Sequence, residues 1–231
     1  MHGATTDDRS LALRRARAQR VRGLYAVTPD SRDTADLAAR VAAAIAGGAS
    51  AIQYRNKSAE PSARRTQAAA LARVQAAHGA LLIINDDAEL AAAIGADGVH
   101  IGEDDASIAA ARELVGPDRI VGVSCYDDFE RARAAVAAGA DYVAFGSFFA
   151  SGVKPLARKA GIELLTRARS LGVPLVAIGG IDADNAPPLI DAGADAVAVI
   201  SAVFARPTID DVEQAAHAIA RLFPRIAQRT S

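Results

Sequence analysis

The chain is predicted to be an α/β protein: a single (β/α)8 barrel of the TIM type with an N-terminal extension. Three observations in the sequence predict it. Short Val/Ile/Leu-rich runs alternate eight times with Ala-rich amphipathic runs, the pattern of parallel strands joined by helical crossovers. A glycine-alanine-aspartate or glycine-alanine-serine triplet recurs between a helical stretch and the next apolar run, at Gly48-Ala49-Ser50, Gly95-Ala96-Asp97, Gly139-Ala140-Asp141 and Gly193-Ala194-Asp195. Glycine just past a helix end accepts the left-handed conformation that terminates it, so these triplets mark turns on one end of a barrel. Polar residues, finally, gather where the apolar runs stop. In a closed barrel all strand C-termini emerge on one face, so groups far apart in sequence converge there.

Taken in order, Leu24–Val27, Ala51–Tyr54, Leu81–Ile84, Gly98–His100, Ile120–Val123, Tyr142–Phe145, Leu175–Ile178 and Ala196–Ile200 read as strands. Runs with little alternation, such as Leu81–Ile84, are expected where a parallel strand is covered on both faces. Thr34–Ala46, Ser62–Ala77, Phe129–Ala138 and Asp184–Ala192 read as helices, each long enough to return the chain for a parallel pairing. An open doubly wound sheet is the competing architecture, but no Gly-x-Gly-x-x-Gly follows the first strand. The expected organisation is an Arg-rich extension over residues 1–22, a catalytic barrel over 23–224 and a tail over 225–231. Arg9, Arg14, Arg15, Arg17, Arg20 and Arg22 stand among alanines and leucines; a weak apolar moment favours a frayed or docked extra helix over a membrane or RNA element.

At 231 residues and 51% hydrophobic content, one large core suffices. A formal net charge of −1 supplies no global field for nucleic acid or an anionic membrane, so an anion site has to be local. No apolar run approaches the roughly 20 residues of a membrane helix. The single cysteine, Cys125, excludes an internal disulfide framework, and a cytoplasmic location is the expectation. A homo-oligomer is compatible with the chain, its order left open.

Several groups at strand ends carry chemistry. Gln53, Arg55 and Lys57 alternate at the end of the second strand, so their side chains share a side for as long as that strand persists. Two cations on one side call for an anion, or are simply solvated. Asn85-Asp86-Asp87 ends the third strand and Glu103-Asp104-Asp105 follows the fourth. Neighbouring strands lie about 4.8 Å apart, so carboxylates at these two ends can share a hard cation such as magnesium. The same aspartates also suit helix N-caps. Gly179-Gly180 ends the seventh strand and Ile200-Ser201 the eighth, where barrels often bind phosphate. Lys154, beyond the Gly146–Val153 loop, reads either as a residue that closes over a substrate or as a mobile surface lysine. His100 reads as a packed, hydrogen-bonded rim residue, and Ser124 lacks a nucleophile-elbow context, which assigns it to substrate contact.

The ordered set Leu24-Tyr25-Ala26-Val27-Thr28, Gln53-Tyr54-Arg55-Asn56-Lys57, Ile84-Asn85-Asp86, Asp97-Gly98-Val99-His100-Ile101-Gly102 with Asp105, Gly122-Val123-Ser124, Asp141-Tyr142-Val143 through Lys154, Ala177-Ile178-Gly179-Gly180-Ile181 and Val199-Ile200-Ser201 resembles the thiamine-phosphate synthase family. That resemblance implies a magnesium-dependent transferase. Such an enzyme joins 4-amino-2-methyl-5-(hydroxymethyl)pyrimidine diphosphate to a thiazole phosphate, or its carboxylated form, and releases pyrophosphate. By the same resemblance Gln53, Arg55, Lys57, Asn85 and Lys154 contact the pyrimidine diphosphate, and Asp86 and Asp105 hold Mg2+. Ser124 touches the pyrimidine, and Gly180, Ile200 and Ser201 bind the thiazole phosphate. Arg55, Lys57, Ser124 and Lys154 carry the catalytic step.

The sequence departs from that family at three places. Ala150-Ser151-Gly152-Val153-Lys154 stands where Pro-Thr-x-Thr-Lys is usual, so Ser151 replaces a threonine in the substrate contact and Val153 donates no hydrogen bond. Glu103 stands where glutamine is common, and Tyr126 where histidine is common. Two other functions fit the same barrel: a thiazole tautomerase-like isomerase, which would want a histidine where Tyr126 stands, and a non-catalytic barrel that binds thiamine-pathway phosphates.

Overall fold

The computed structural model describes residues 6–102, 107–150 and 159–224. Eight parallel strands close into a barrel in sequence order, each paired with its neighbours and the last with the first. They are β1 (Gly23–Val27), β2 (Ala49–Tyr54), β3 (Leu81–Asn85), β4 (Gly98–Ile101), β5 (Ile120–Tyr126), β6 (Tyr142–Phe145), β7 (Leu175–Ile178) and β8 (Ala196–Val199). The helices are α1 (Thr6–Ala18), α2 (Thr34–Ala46), α3 (Pro61–His78), α4 (Ala88–Ile94), α5 (Ile108–Val115), α6 (Phe129–Ala137), α7 (Glu163–Ala168), α8 (Pro187–Asp191), α9 (Ser201–Phe204) and α10 (Ile209–Ala220). The predicted fold class is therefore the observed one.

The core has two shells because each strand is buried on both faces. Leu24, Ile52, Leu82, Ile84, Val121 and Val143 face the helices, while Tyr25, Ala51, Leu81, Ile83, Ile120 and Tyr142 fill the barrel interior. Fully burying a Leu or Ile side chain stabilises by about 1.5–3 kcal/mol relative to exposure, so this double covering drives closure. Helix α2 matches its predicted span; Asp33 caps it by accepting from Ala35 N and Asp36 N.

Two elements differ from expectation. The predicted helix over Asp184–Ala192 shrinks to α8, because the Asp182 carboxylate accepts from Asp184 N and Asn185 N and holds that stretch as a turn. Helix then begins at Pro187, a residue suited to a first turn. Strand β5 runs on to Tyr126, with a register shift after Ser124 and a positive φ of 53° at Tyr126.

The four triplets build the end of the barrel from which the strands depart. Gly48, Gly95, Gly139 and Gly193 all have positive φ. The aspartate that follows reaches back to the preceding strand: Asp97 accepts from Leu82 N at 3.0 Å, Asp141 from Val121 N at 2.8 Å and Asp195 from Leu175 N at 3.0 Å. The Arg-rich segment docks on these acids through α1. Arg17 pairs with Asp118 at 2.8 Å and Asp97 at 3.3 Å, and Arg14 approaches Asp141 at 3.2 Å. Hydrogen bonding from Arg17 holds the Asp118 carboxyl below its ordinary range. Ala18 and Val21 complete the plug by joining the interior cluster.

Candidate active site

The opposite rim collects the polar residues that end the strands. Strand β2 stops at Tyr54, so the expected same-side alternation of Gln53, Arg55 and Lys57 does not carry past it. Gln53 stays inside, almost fully buried, and its Nε2 donates to the Tyr25 hydroxyl at 3.1 Å. Thr28 brackets the next residue, donating to Arg55 O and accepting from Arg55 N, both at 2.9 Å. The two cations then meet separate carboxylates. Arg55 Nη1 lies 3.4 Å from Asp30 Oδ1, which also accepts from Lys57 N at 3.0 Å, and Lys57 Nζ lies 3.4 Å from Asp86 Oδ2. Asp30 lies in a polar run, Thr28-Pro29-Asp30, that ends the first apolar stretch, but the sequence assigned it no role.

Asp86 and Asp87 divide the two roles that their sequence left open. Asp87 is the N-cap of α4 and accepts from Leu90 N at 2.8 Å. Asp86 takes a left-handed backbone with φ of 65°, donates its N–H to His100 O and keeps its carboxylate beside Lys57. Helix α5 is capped by Ser107. Asp105, Glu103, Ser151, Val153 and Lys154 lie outside the described residues.

A buried polar chain crosses the barrel beneath the rim. From Gln53 it passes to Tyr25, whose hydroxyl lies 2.9 Å from that of Tyr142. The Tyr142 hydroxyl lies 3.0 Å from His100 Nδ1, and His100 Nε2 lies 2.9 Å from Ser124 Oγ. Register explains how β6 reaches β4: His100 is level with Gly122, and Gly122 with Tyr142. A Cβ on Gly122 would stand 2.0 Å from the Tyr142 ring, so only glycine lets that ring cross β5 and stack on His100 at 5.5 Å between centroids. Burial pushes both tyrosine hydroxyls well above their ordinary pKa and keeps them neutral. His100 is thus the packed, hydrogen-bonded residue expected. Cys125 is buried in the helix-facing shell, where desolvation pushes its thiol up to about 12 and disfavours the thiolate.

The far side of the rim is a tight turn. Gly179 and Gly180 have φ of 106° and 65°, and a Cβ on either would strike Ser147 or the Phe149-Ala150 backbone. Phe149 N donates to Gly179 O at 2.9 Å, so the turn is fitted to the loop that follows β6. Ile200 and Ser201 open α9 directly after β8. Gln53, Asn85, Ser124, Gly180, Ile200 and Ser201 therefore all stand at the same end of the barrel as Arg55, Lys57 and Asp86.

The family model described as thiamine monophosphate synthase matches residues 24–203. The chain belongs to that family. A thiamine-phosphate synthase of Chromobacterium violaceum is 57% identical over 204 residues, covering 88% of this chain and 97% of that protein. Another, of Thiobacillus denitrificans, is 54% identical over 202 residues, covering 87% and 94%. Among solved structures, a thiamine phosphate pyrophosphorylase from Pyrococcus furiosus superposes with a TM-score of 0.78 at 35% identity, over 90% of this chain and 96% of that one. The resemblance read from the ordered motifs is borne out. The tautomerase-like and non-catalytic readings are not favoured by these relatives.

Whether the rim suits magnesium is a matter of donor type. Asp86 supplies a hard oxygen at a partly exposed position beside a cation. Among the described residues no group of three or more His, Cys, Asp or Glu side chains is assembled for a metal. A hard carboxylate oxygen of the Asp86 kind suits an ion which takes one or two protein carboxylates, keeps several waters and shares substrate phosphates. No described helix is long and apolar enough to cross a membrane.

Proposed function

We propose that the chain acts as a thiamine-phosphate synthase whose rim clamps a departing diphosphate while a second anion pocket presents the acceptor. The observation that carries this reading is the convergence of Arg55, Lys57, Asp86 and Ser124, from three strand ends, on one rim of a barrel of this family. Breaking the C–O bond to pyrophosphate leaves a pyrimidinylmethyl cation, stabilised by the ring's amino group, and puts negative charge on the leaving group. Arg55, Lys57 and Lys154 receive that charge. Fixed cations facing a developing anion lower the barrier because they need no reorganisation at the moment of reaction.

Asp86 and Asp105 would hold Mg2+, which, when bound, supplies further positive charge to the diphosphate. Asp30 and Asp86 hold Arg55 and Lys57 in place until substrate phosphates replace those contacts. Gln53 and Asn85 line the pyrimidine diphosphate side, Ser124 meets the pyrimidine ring, and Gly180, Ile200, Ser201 and Ser151 position the thiazole phosphate. Holding the thiazole nitrogen against the cation lets it add before water does. That nitrogen carries no proton, so no general base is needed, in keeping with an imidazole at His100 committed to Tyr142 and Ser124.

Purified protein with magnesium, pyrimidine diphosphate and thiazole phosphate is expected to release one pyrophosphate per thiamine phosphate formed. Absence of both products under conditions that support binding overturns the reading.

A further inference from the structure

The thiamine-phosphate synthase reading gives Ser124 a role at the pyrimidine but says nothing of what orients its hydroxyl. The buried chain beneath it does. Each phenol has one hydrogen, and a neutral imidazole has one N–H and one acceptor nitrogen. Gln53 Nε2 donates to Tyr25. A phenol oxygen can accept twice, but only donation from Tyr25 to Tyr142, 2.9 Å away, and from Tyr142 to His100 Nδ1, 3.0 Å away, gives both buried phenol hydrogens an acceptor within this chain of contacts. His100 is left with its proton on Nε2, donating to Ser124 Oγ at 2.9 Å. One direction of donation therefore runs from Gln53 across the barrel to Ser124. With its oxygen accepting from below, the serine offers its own hydrogen to an acceptor in the mouth.

We propose that Tyr25, Tyr142 and His100 are positioning residues that fix Ser124 as a hydrogen-bond donor toward an acceptor atom of the pyrimidine ring, with Gly122 as the gap that lets Tyr142 reach His100. This rests on the functional reading for the identity of the ring, and on the count of donors and acceptors along these contacts for the direction of donation. Ser124 is only partly buried, so an undirected hydroxyl would spend part of its time donating to the histidine or to water. Preorganisation of this kind acts on the rate more than on binding of the second substrate.

Two experiments test it. In the first, Tyr142→Phe, Ser124→Ala and the double variant are compared in pyrophosphate release at saturating substrates, with melting temperature measured alongside. Tyr142→Phe removes one oxygen and keeps the ring; kcat is expected to fall about tenfold or more, with KM for thiazole phosphate changed by less than about twofold. In the Ser124→Ala background the same change is expected to cost less than about twofold, because the positioned group is gone. Losses that multiply in the double variant, or an unchanged kcat in Tyr142→Phe, overturn the proposal. A Ser124→Ala enzyme with full activity also overturns it, and identifies the Ser124 assignment as the point of failure. Should Tyr142→Phe not fold, Tyr25→Phe breaks the same chain one step earlier and is read in the same cycle.

The second experiment is independent of turnover. Nitrogen-15 NMR of the imidazoles, with His100 assigned by His100→Gln, is expected to show the Nε2-protonated tautomer in the wild type and its loss in Tyr142→Phe. An Nδ1-protonated His100 in the wild type overturns the direction of donation even in a fully active enzyme.

Discussion

The two ends of this barrel use charge in opposite ways. At the end where strands begin, acids and arginines satisfy each other within the chain. Asp141 has a side chain only 9% exposed, accepts from Val121 N, and pairs with both Arg112 and Arg14. At the end where strands finish, Lys57 is 60% exposed and Asp30 40% exposed, and the ion pairs they make, with Asp86 and Arg55 respectively, are long at 3.4 Å. Exposed pairs contribute about 0–1 kcal/mol, so they can be exchanged for a ligand at small cost. One end is organised for stability, and the other holds exposed, exchangeable charges of the kind the proposed function needs for an anion.

The strongest way to break that contrast is a substitution at the binding end that harms folding instead of chemistry. Asp86→Asn is the cleanest choice, since asparagine tolerates the left-handed backbone that alanine would strain. Pyrophosphate release at limiting magnesium is expected to fall by about 10²–10³, the loss typical of removing one preorganised charge partner. The melting temperature is expected to hold. A variant that melts early while turning over normally would make Asp86 a structural residue.

The converse substitution is next in size. Asp141→Ala leaves Val121 N–H, Arg14 and Arg112 without their shared acceptor, and breaking a partly buried network of this kind costs about 3 kcal/mol. Denaturant unfolding should show that loss, with kcat unchanged at a temperature where the variant is folded. A fall in kcat without loss of stability would mean the two ends are coupled.

How much of this contrast the sequence carries depends on the range of the interactions. The αβ triplets are local, and their glycines do take positive φ, so that end could be read from spacing alone. The acids that follow are part of the same motif, but their partners are not: Arg17 meets Asp97 and Asp118 across most of the first half of the chain. At the other end, residue types located the rim, and Asp86 was found because it ends a strand. Which of Asp86 and Asp87 caps a helix was not decidable, since both suit the position and only backbone conformation separates them. The Tyr25–Tyr142–His100 chain was out of reach, because it forms only when β4, β5 and β6 are in register and Gly122 leaves a gap. An available signal was that Tyr25 and Tyr142 sit in apolar strands, where a buried phenol needs a partner.

The smallest effect is a pH dependence that should separate the two ends by its sign. Burial raises the hydroxyls of Tyr25 and Tyr142 above their ordinary value, and carries Tyr54 and the Cys125 thiol up to about 12. A group raised in the folded state contributes stability that is complete below its unfolded pKa and is lost as pH rises toward the folded value. For the tyrosines the loss starts near pH 10, for the cysteine near about 8.5, and each group adds at most about 1.4 kcal/mol per pH unit. Asp118, held low by Arg17, runs the other way: its contribution is present above about pH 4 and fades as pH falls through the folded value. Unfolding followed across pH should therefore show Tyr142→Phe narrowing the alkaline loss and leaving the acid limb untouched. In Arg17→Ala, the Asp118 part of the stability deficit should shrink below about pH 4 while the alkaline limb stays as in the wild type. Tyrosinate absorbance checks the first half directly, since the buried phenols should ionise only as the barrel opens; ionisation well before unfolding would show that water already reaches the chain beneath Ser124.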